Sequence, residues 1–187
     1  MVTSNANKAA EVAAYFGGML EVDCVALEMP EYRSDDVGEI ARGKAEYAYR
    51  VLKRPLIVDD TAFCIDALRG FPGAYAAYVL NSIGNAGILK LMEGQTERSA
   101  RFITGIAYAD EEGIRVFTGQ IVGTITTAPR GTNGFGYDPI LEAGGKTLAE
   151  LSMDEKSRVS HRARALREFH DWFLTKAAQE GAGTRNG

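Results

Sequence analysis

Cysteine is scarce: the 187 residues hold two, Cys24 and Cys64. They stand too far apart for a metal-ligand spacing, and their apolar neighbours suit reduced core thiols of a cytosolic (cytoplasmic) protein. Long apolar runs are absent, none approaching the ~18 residues of a membrane helix. Met1-Val2-Thr3-Ser4-Asn5 turns polar too early for a secretory signal. Basic charge is not in excess. The 21 Lys and Arg against 25 Asp and Glu leave a net charge of −4. That argues against a nucleic-acid coat protein, because duplex binding needs cations set on phosphates. Internal repeats, low-complexity blocks and the phosphate loop G-x-x-x-x-G-K-S/T are all missing. What remains, 45% hydrophobic and 25% charged, suits a soluble globular chain with a sizeable core.

The apolar pattern then sets out the elements. A helix is predicted over about 8–16, stopped by Gly17-Gly18. Alternation over 22–27 predicts a strand. Asp36 followed by Glu39 predicts a capping box and a helix to about Lys53, closed by Pro55. Leu56-Ile57-Val58 reads as a buried strand delivering Asp59 and Asp60 at its end. Helices are predicted over 75–83 and 86–92, with Asn85 capping the second. Residues 99–109 and 114–126 read as two long strands joined by a hairpin loop. Ser152 with Glu155 predicts another capping box. The helix it opens runs to about Leu174, with Val159, Ala163, Leu166, Phe169 and Phe173 on one apolar face. The class is α/β with a mixed sheet. One domain is expected over 1–174, followed by a flexible tail over 175–187.

Four constellations could carry chemistry. Thr3-Ser4-Asn5-Ala6-Asn7-Lys8 leads into a helix. It suits either simple capping or an anion site, where free N–H groups and Lys8 meet a phosphate. Asp59-Asp60-Thr61 places two carboxylates side by side. A divalent cation would relieve their repulsion, and a carboxylate there could activate a water. A solvated turn with one helix cap is the plainer alternative, and a D-x-D phosphatase strand end is a further one. Gly134-Phe135-Gly136-Tyr137-Asp138-Pro139 either opens an aromatic face to a planar ligand or packs its rings in a turn. Lys156 with Ser160-His161-Arg162 is either a phosphate or purine clamp or a solvated basic face. On one continuous helix, 156, 160 and 163 would share a face and 161 and 162 would turn away. Glu31 and Lys44 stand out only in company.

The order of these segments resembles the inosine/xanthosine triphosphate pyrophosphatases, the RdgB-type house-cleaning nucleotidases. Thr3 to Lys8 with Ala9-Ala10-Glu11 is similar to that family's T-G-N-x-x-K…E opening. Asp59-Asp60-Thr61 with Ala67-Leu68-Arg69-Gly70-Phe71-Pro72-Gly73-Ala74-Tyr75 is similar to D-D-S/T-G-L…A-L-x-G-x-P-G-x-Y. Gly134 to Pro139 matches G-F-G-Y-D-P, and 151–162 matches M-x-x-E-E-K-N-x-x-S-H-R. The resemblance implies an elongated two-lobed α/β fold around a long central mixed sheet, with the site in the cleft between lobes. It implies Mg²⁺-dependent hydrolysis of ITP, dITP and XTP to the monophosphate and pyrophosphate, by a homodimer. Thr3, Ser4, Asn5, Ala6, Asn7 and Lys8 would hold the triphosphate with Lys44. Glu31 and Asp60 would face the metal, with Asp59 beside them. Asp60 would activate water and Thr61 would touch substrate. Phe135 would stack on the base. Gly136, Tyr137 and Asp138 would line its pocket, and Lys156, His161 and Arg162 would complete it, with Arg162 meeting O6. Three departures stand out. Ser4 replaces a Gly, Ala76-Ala77-Tyr78 lacks the family's frequent basic residue, and few apolar residues precede Thr3. A weakly catalytic nucleotide-binding module, or a phosphatase of another type, would be the alternatives.

Overall fold

The structure, a computed structural model, describes residues 1–19 and 21–183. In chain order it holds α1 (Ala6–Phe16), α2 (Val37–Leu52), β1 (Leu56–Ile65), β2 (Pro72–Gly73) and α3 (Ala76–Leu91). Then come β3 (Ser99–Asp110), β4 (Gly113–Ile125), β5 (Leu141–Ala143), β6 (Lys146–Thr147), α4 (Met153–Val159) and α5 (His161–Gly183). The strands form one open sheet in the order β2-β1-β3-β4-β5-β6, and each ladder is antiparallel. Among the described residues parallel pairing is confined to Val2, which bridges Val25 and Val58, so the sheet expected to be mixed is antiparallel between all its strands. The expected strand over 22–27 reduces to that single bridge at Val25.

Local signals explain most of the helix ends. Asn5 caps α1 by accepting from the N–H groups of Asn7 and Lys8, and Gly17 ends the helix in the left-handed region (φ 51°). Asp36 caps α2 through Gly38 N–H at 2.7 Å, but the expected capping box does not form. Glu39 instead accepts from Ser34 Oγ at 2.7 Å. α3 breaks at Gly84 (φ 62°, ψ −172°), which fits the two helical stretches expected there.

Two lobes share the long strands. In one, the buried alanines Ala41, Ala45 and Ala48 of α2 cover Val58, Ala107 and Ala109 on one face of the sheet. Val12 and Phe16 of α1 and Leu166 and Phe169 of α5 cover Ile57, Ile106 and Phe117 on the opposite face. The other lobe packs Val79, Ile88 and Met92 against Phe63, Phe102, Tyr137 and Ile140. Each such large apolar side chain stabilises the fold by about 1.5–3 kcal/mol.

Four expectations need correction. Asp59 and Asp60 lie in the middle of β1, not at its end, because the strand continues through an apolar run to Ile65. The helix opened by Ser152 does not run straight through. Ser160 is extended (φ −66°, ψ 163°), so α4 stops and α5 starts afresh at His161. Val159 is therefore exposed, while Ala163, Leu166 and Phe169 are buried. Third, α5 continues past Leu174. Lys176 pairs with Asp110 and Glu112, so helix and ion pairs replace the tail expected from 175. Residues 184–187 of that tail lie outside the described residues. Finally, Cys24 is exposed and Cys64 half-buried, and both are free thiols.

Candidate active site

The site follows the open edge of β1. Val2 pairs with Val58, and β2 pairs from Phe63 onward, so among the described residues 59–62 meet no strand on that side. Lys8 Nζ donates to the Asp59 carbonyl at 3.2 Å, and Asp60 Oδ1 accepts the Thr61 N–H at 3.0 Å. A cleft of about 630 Å³ opens there. It is lined by Thr3, Ser4, Asn5, Asn7, Lys8, Glu31, Lys44, Asp59, Asp60 and Thr61 at one end. Phe135, Gly136, Tyr137, Asp138, Lys156, His161 and Arg162 line the other. Ala6, expected in the first group, starts α1 and does not line the cleft.

Pleating resolves the apparent repulsion of the adjacent acids. Successive side chains on a strand point to opposite faces. Asp59 lies on the face of α1 and α5, where it pairs with Lys8 and with Arg162 Nε at 2.7 Å. Asp60 lies on the face of α2, where Lys44 Nζ reaches it at 2.5 Å. Each acid therefore has its own cation. Burial alone would raise the Asp59 carboxyl, but Arg162 and Lys8 overcome it and hold it well below the usual carboxylate range. Asp59, expected beside the metal-facing acids, has its oxygens turned to Arg162 and Lys8.

Glu31, whose side chain is exposed, lies 3.7 Å from Lys44 Nζ. Two carboxylates, Asp60 and Glu31, thus flank Lys44. Among the described residues no group of three or more His, Cys, Asp or Glu could hold a metal by itself. That donor set still fits Mg²⁺, which is commonly held by one or two carboxylates plus substrate phosphates.

At the other end, a buried ion chain fastens the aromatic loop. Lys156 Nζ donates to Glu11 and to Asp138 at 2.5 Å each, and Arg162 Nη1 donates to Glu11. Asp138 Oδ2 also accepts the Phe135 N–H at 2.7 Å. Burial pushes the Asp138 carboxyl upward, partly offset by Lys156. Gly134 turns at φ 71°, and a Cβ there would strike Asp138 Oδ2, so only glycine fits this clasp. Lys156 Nζ stands 5.0 Å from the Phe135 ring centroid and Arg162 Cζ 5.9 Å. The Ser160 break is what brings Lys156, His161 and Arg162 to one place, contrary to the divergence expected of a continuous helix. Gly119 of β4 lets α5 start this close, since a Cβ would collide with the His161 carbonyl.

Tyr137 lines the cleft as expected and also packs in the core, its ring stacked on Phe63 at 4.4 Å and its hydroxyl donating to the Ala76 carbonyl at 2.7 Å. Burial pushes that phenol up to about 12. Arg162, expected to meet a purine O6, is buried and already engaged by Asp59, Glu11 and Thr61 Oγ1. Asn85, expected as a cap, donates from Nδ2 to the Gly136 carbonyl at 3.0 Å. Ser4 is not in the left-handed region; among the described residues the non-glycines there are Lys53 and Arg69. The serine therefore carries no backbone penalty of that kind.

Two site residues were missed. Glu11 was visible as the acid closing the K…E run, but nothing local marks it as a buried anion. Thr104 has no motif around it. Only its register opposite Thr61 reveals it, with the two hydroxyl oxygens 2.7 Å apart.

Comparison with known proteins agrees with this arrangement. A dITP/XTP pyrophosphatase of Methanopyrus kandleri is 46% identical over 175 residues, covering 92% of each chain. A protein of the same name from Thermococcus kodakarensis is 44% identical over 175 residues, 92% of this chain and 95% of that one. The solved structure of the Staphylococcus aureus Ham1 protein superposes with a TM-score of 0.80 at 27% identity, covering 94% of this chain and 98% of that one. The Ham1 family model matches residues 1–172, which include each cleft-lining residue described above. By sequence, fold and the residues gathered along the β1 edge, the chain belongs to the Ham1 family.

Proposed function

We propose that this protein hydrolyses the triphosphates of deaminated purines, ITP, dITP and XTP, to the monophosphate and pyrophosphate, clearing them from the nucleotide pool. One observation carries the reading. A single cleft runs from a helix N-terminus with two lysines, past Asp60, to a glycine-framed phenylalanine beside a cationic cluster. The first end suits a polyphosphate and the second a flat, polar base.

In this reading Thr3, Ser4, Asn5, Asn7, Lys8 and Lys44 receive the triphosphate. The two lysines exchange their carboxylate partners for phosphate oxygens on binding. Asp60 orients a water and takes its proton as the oxygen bonds to the α-phosphorus. The bond from that phosphorus to the bridging oxygen breaks, and pyrophosphate leaves with the electron pair. Asp60 and Glu31 would hold Mg²⁺, which when bound supplies charge stabilisation on the phosphate oxygens. Thr61 adjoins the reacting centre. Phe135, Gly136, Tyr137 and Asp138 form the base end, closed by Lys156, His161 and Arg162. A homodimer in the cytoplasm, without nucleic-acid or membrane partners, completes the proposal.

Supporting relatives carry the name dITP/XTP pyrophosphatase. The test is release of pyrophosphate and of orthophosphate from ITP, dITP, XTP, GTP and ATP, with Mg²⁺ and with EDTA. Pyrophosphate from ITP, dITP and XTP, lost in EDTA, is the expected result. Asp60→Asn should lower kcat by at least about 100-fold. Orthophosphate as first product, or an unimpaired Asp60→Asn enzyme, would overturn the reading.

A further inference from the structure

Arg162 donates to Asp59, Glu11 and Thr61, and beside it His161 also faces the cleft. His161 is buried, stacks on Phe102 at 4.7 Å between ring centroids, and lines the cleft. Its Nδ1 lies 2.9 Å from Thr104 Oγ1. Thr104 Oγ1 in turn lies 2.7 Å from Thr61 Oγ1, to which Arg162 Nη2 donates at 3.2 Å. Nε2 is therefore the ring nitrogen free to meet a ligand in the cleft.

The direction of this chain decides what Nε2 can offer. A guanidinium only donates, so Thr61 Oγ1 accepts at its Arg162 end. If Thr61 passes its own hydrogen to Thr104, the Thr104 hydrogen falls on His161 Nδ1. Every hydroxyl hydrogen is then paired, and the single imidazole proton sits on Nε2. The opposite direction would turn the Thr61 hydrogen out of the chain, where no acceptor among the described residues receives it. It would also forgo the mutual strengthening of bonds aligned in one direction. Thr104 is fully buried, so its hydroxyl depends on these two partners, Thr61 and His161, for its pairing. Burial, with Arg162 and Lys156 adding like charge, pushes the imidazole well below its usual range, so it carries one proton, not two.

We infer that Thr104 is a specificity-determining positioning residue: its hydroxyl holds His161 as the Nε2–H tautomer, which presents a donor to the cleft and favours a purine carbonyl over an amino group. The inference rests on the purine reading of the cleft. It gives a strand residue far from any motif the task of setting what the base pocket accepts.

The chain has only two histidines, which makes the tautomer directly observable. Long-range ¹H–¹⁵N spectra of ¹⁵N-histidine-labelled protein would show both rings, with a His170→Gln variant assigning them. The wild type should show His161 protonated at Nε2 alone. Thr104→Ser should keep that signature, and Thr104→Val should lose it. In parallel, the kcat/KM preference for ITP over ATP should fall about tenfold in Thr104→Val, mostly through KM for ITP, and recover in Thr104→Ser. His161 protonated at Nδ1 in the active wild-type enzyme would overturn the inference alone. So would a valine variant with unchanged tautomer and preference. If the valine variant does not fold, the wild-type tautomer decides by itself. A folded wild type that releases no pyrophosphate from any nucleotide would overturn the purine reading, and this inference with it.

Discussion

Side chains far apart in sequence complete one another in this site. Glu11 is the clearest case: it is buried, and it neutralises both Lys156 and Arg162 from 145 and 151 residues away. Together with Asp59, Asp138 and Lys8 these groups form a chain of three acids and three bases. Glu11→Gln leaves two buried cations short of an anion, so it should destabilise the fold by about 3–5 kcal/mol. Urea denaturation would measure that loss, and a change below about 1 kcal/mol would mean that water or a rearranged partner replaces the carboxylate. Ser4 illustrates the opposite kind of residue. It departs from the family's glycine, yet its backbone lies outside the left-handed region. Ser4→Gly should bring no gain and should destabilise by less than about 1 kcal/mol through the unfolded chain's added freedom. A rise in Tm for that variant would show that the serine is strained after all. The motif residues Lys8, Asp60, Lys156 and His161 were legible in the sequence because the resemblance carries their types and order. Their partners Glu11 and Thr104 were not, because no local pattern says that a side chain will be buried opposite a cation or a second hydroxyl.

Element boundaries matter here mainly at one place. The sequence shows a capping box at Ser152 and an apolar stripe beyond it, and both features suit a single long helix. Ser160 breaks that helix, and its hydroxyl accepts from the Ala163 N–H at 3.2 Å, capping α5. The break turns His161 and Arg162 toward β1 and β3. Ser160→Ala should therefore cost about 1 kcal/mol of stability. It should also raise KM for the nucleotide more than it lowers kcat, because the base end loosens while Asp60 stays on its strand. Thermal unfolding and steady-state kinetics would check the two parts, and unchanged KM would separate the cap from the site. The Gly134 turn acts at the same scale. Gly134→Ala meets both a positive φ and the Asp138 carboxylate, so the Phe135 loop should detach and KM should rise. Helix ends at Gly17 and Lys53 were readable from local chemistry, as was the hairpin between β3 and β4. The true length of β1 was not, since an acid pair usually marks a strand's end and only cations from two opposite faces allow the strand to continue.

Across the whole molecule the sheet divides labour between its faces. One face brings Lys8 and Arg162 to Asp59, Arg162 to Thr61 and His161 to Thr104; the other brings Lys44 to Asp60. Stability should depend on pH through these buried groups. His161 has its pKa lowered by burial, so the unfolded chain binds its proton more tightly. Its contribution to stability is complete above the unfolded value of 6.5 and is lost as pH falls toward the depressed folded value. The slope from this one proton reaches about 1.4 kcal/mol per pH unit. Urea midpoints measured below pH 6.5 should fall more steeply for wild type than for His161→Gln. Equal slopes would show that His161 gains its charge without unfolding cost. Asp59 acts in the same direction at lower pH, its carboxyl being held below 3.8. The sequence by itself determined the helices before the sheet's hairpin, the long hairpin, the α/β class and the motif residues, because caps, glycines, apolar periodicity and motif order are local or linear signals. Tertiary structure alone decided that neighbouring acids part to opposite faces, that Tyr137 serves the core, and that Thr104 meets His161. Those outcomes depend on strand pleat, ladder register and the approach of α5 to Gly119, and these are relations between segments that no single stretch of chain contains.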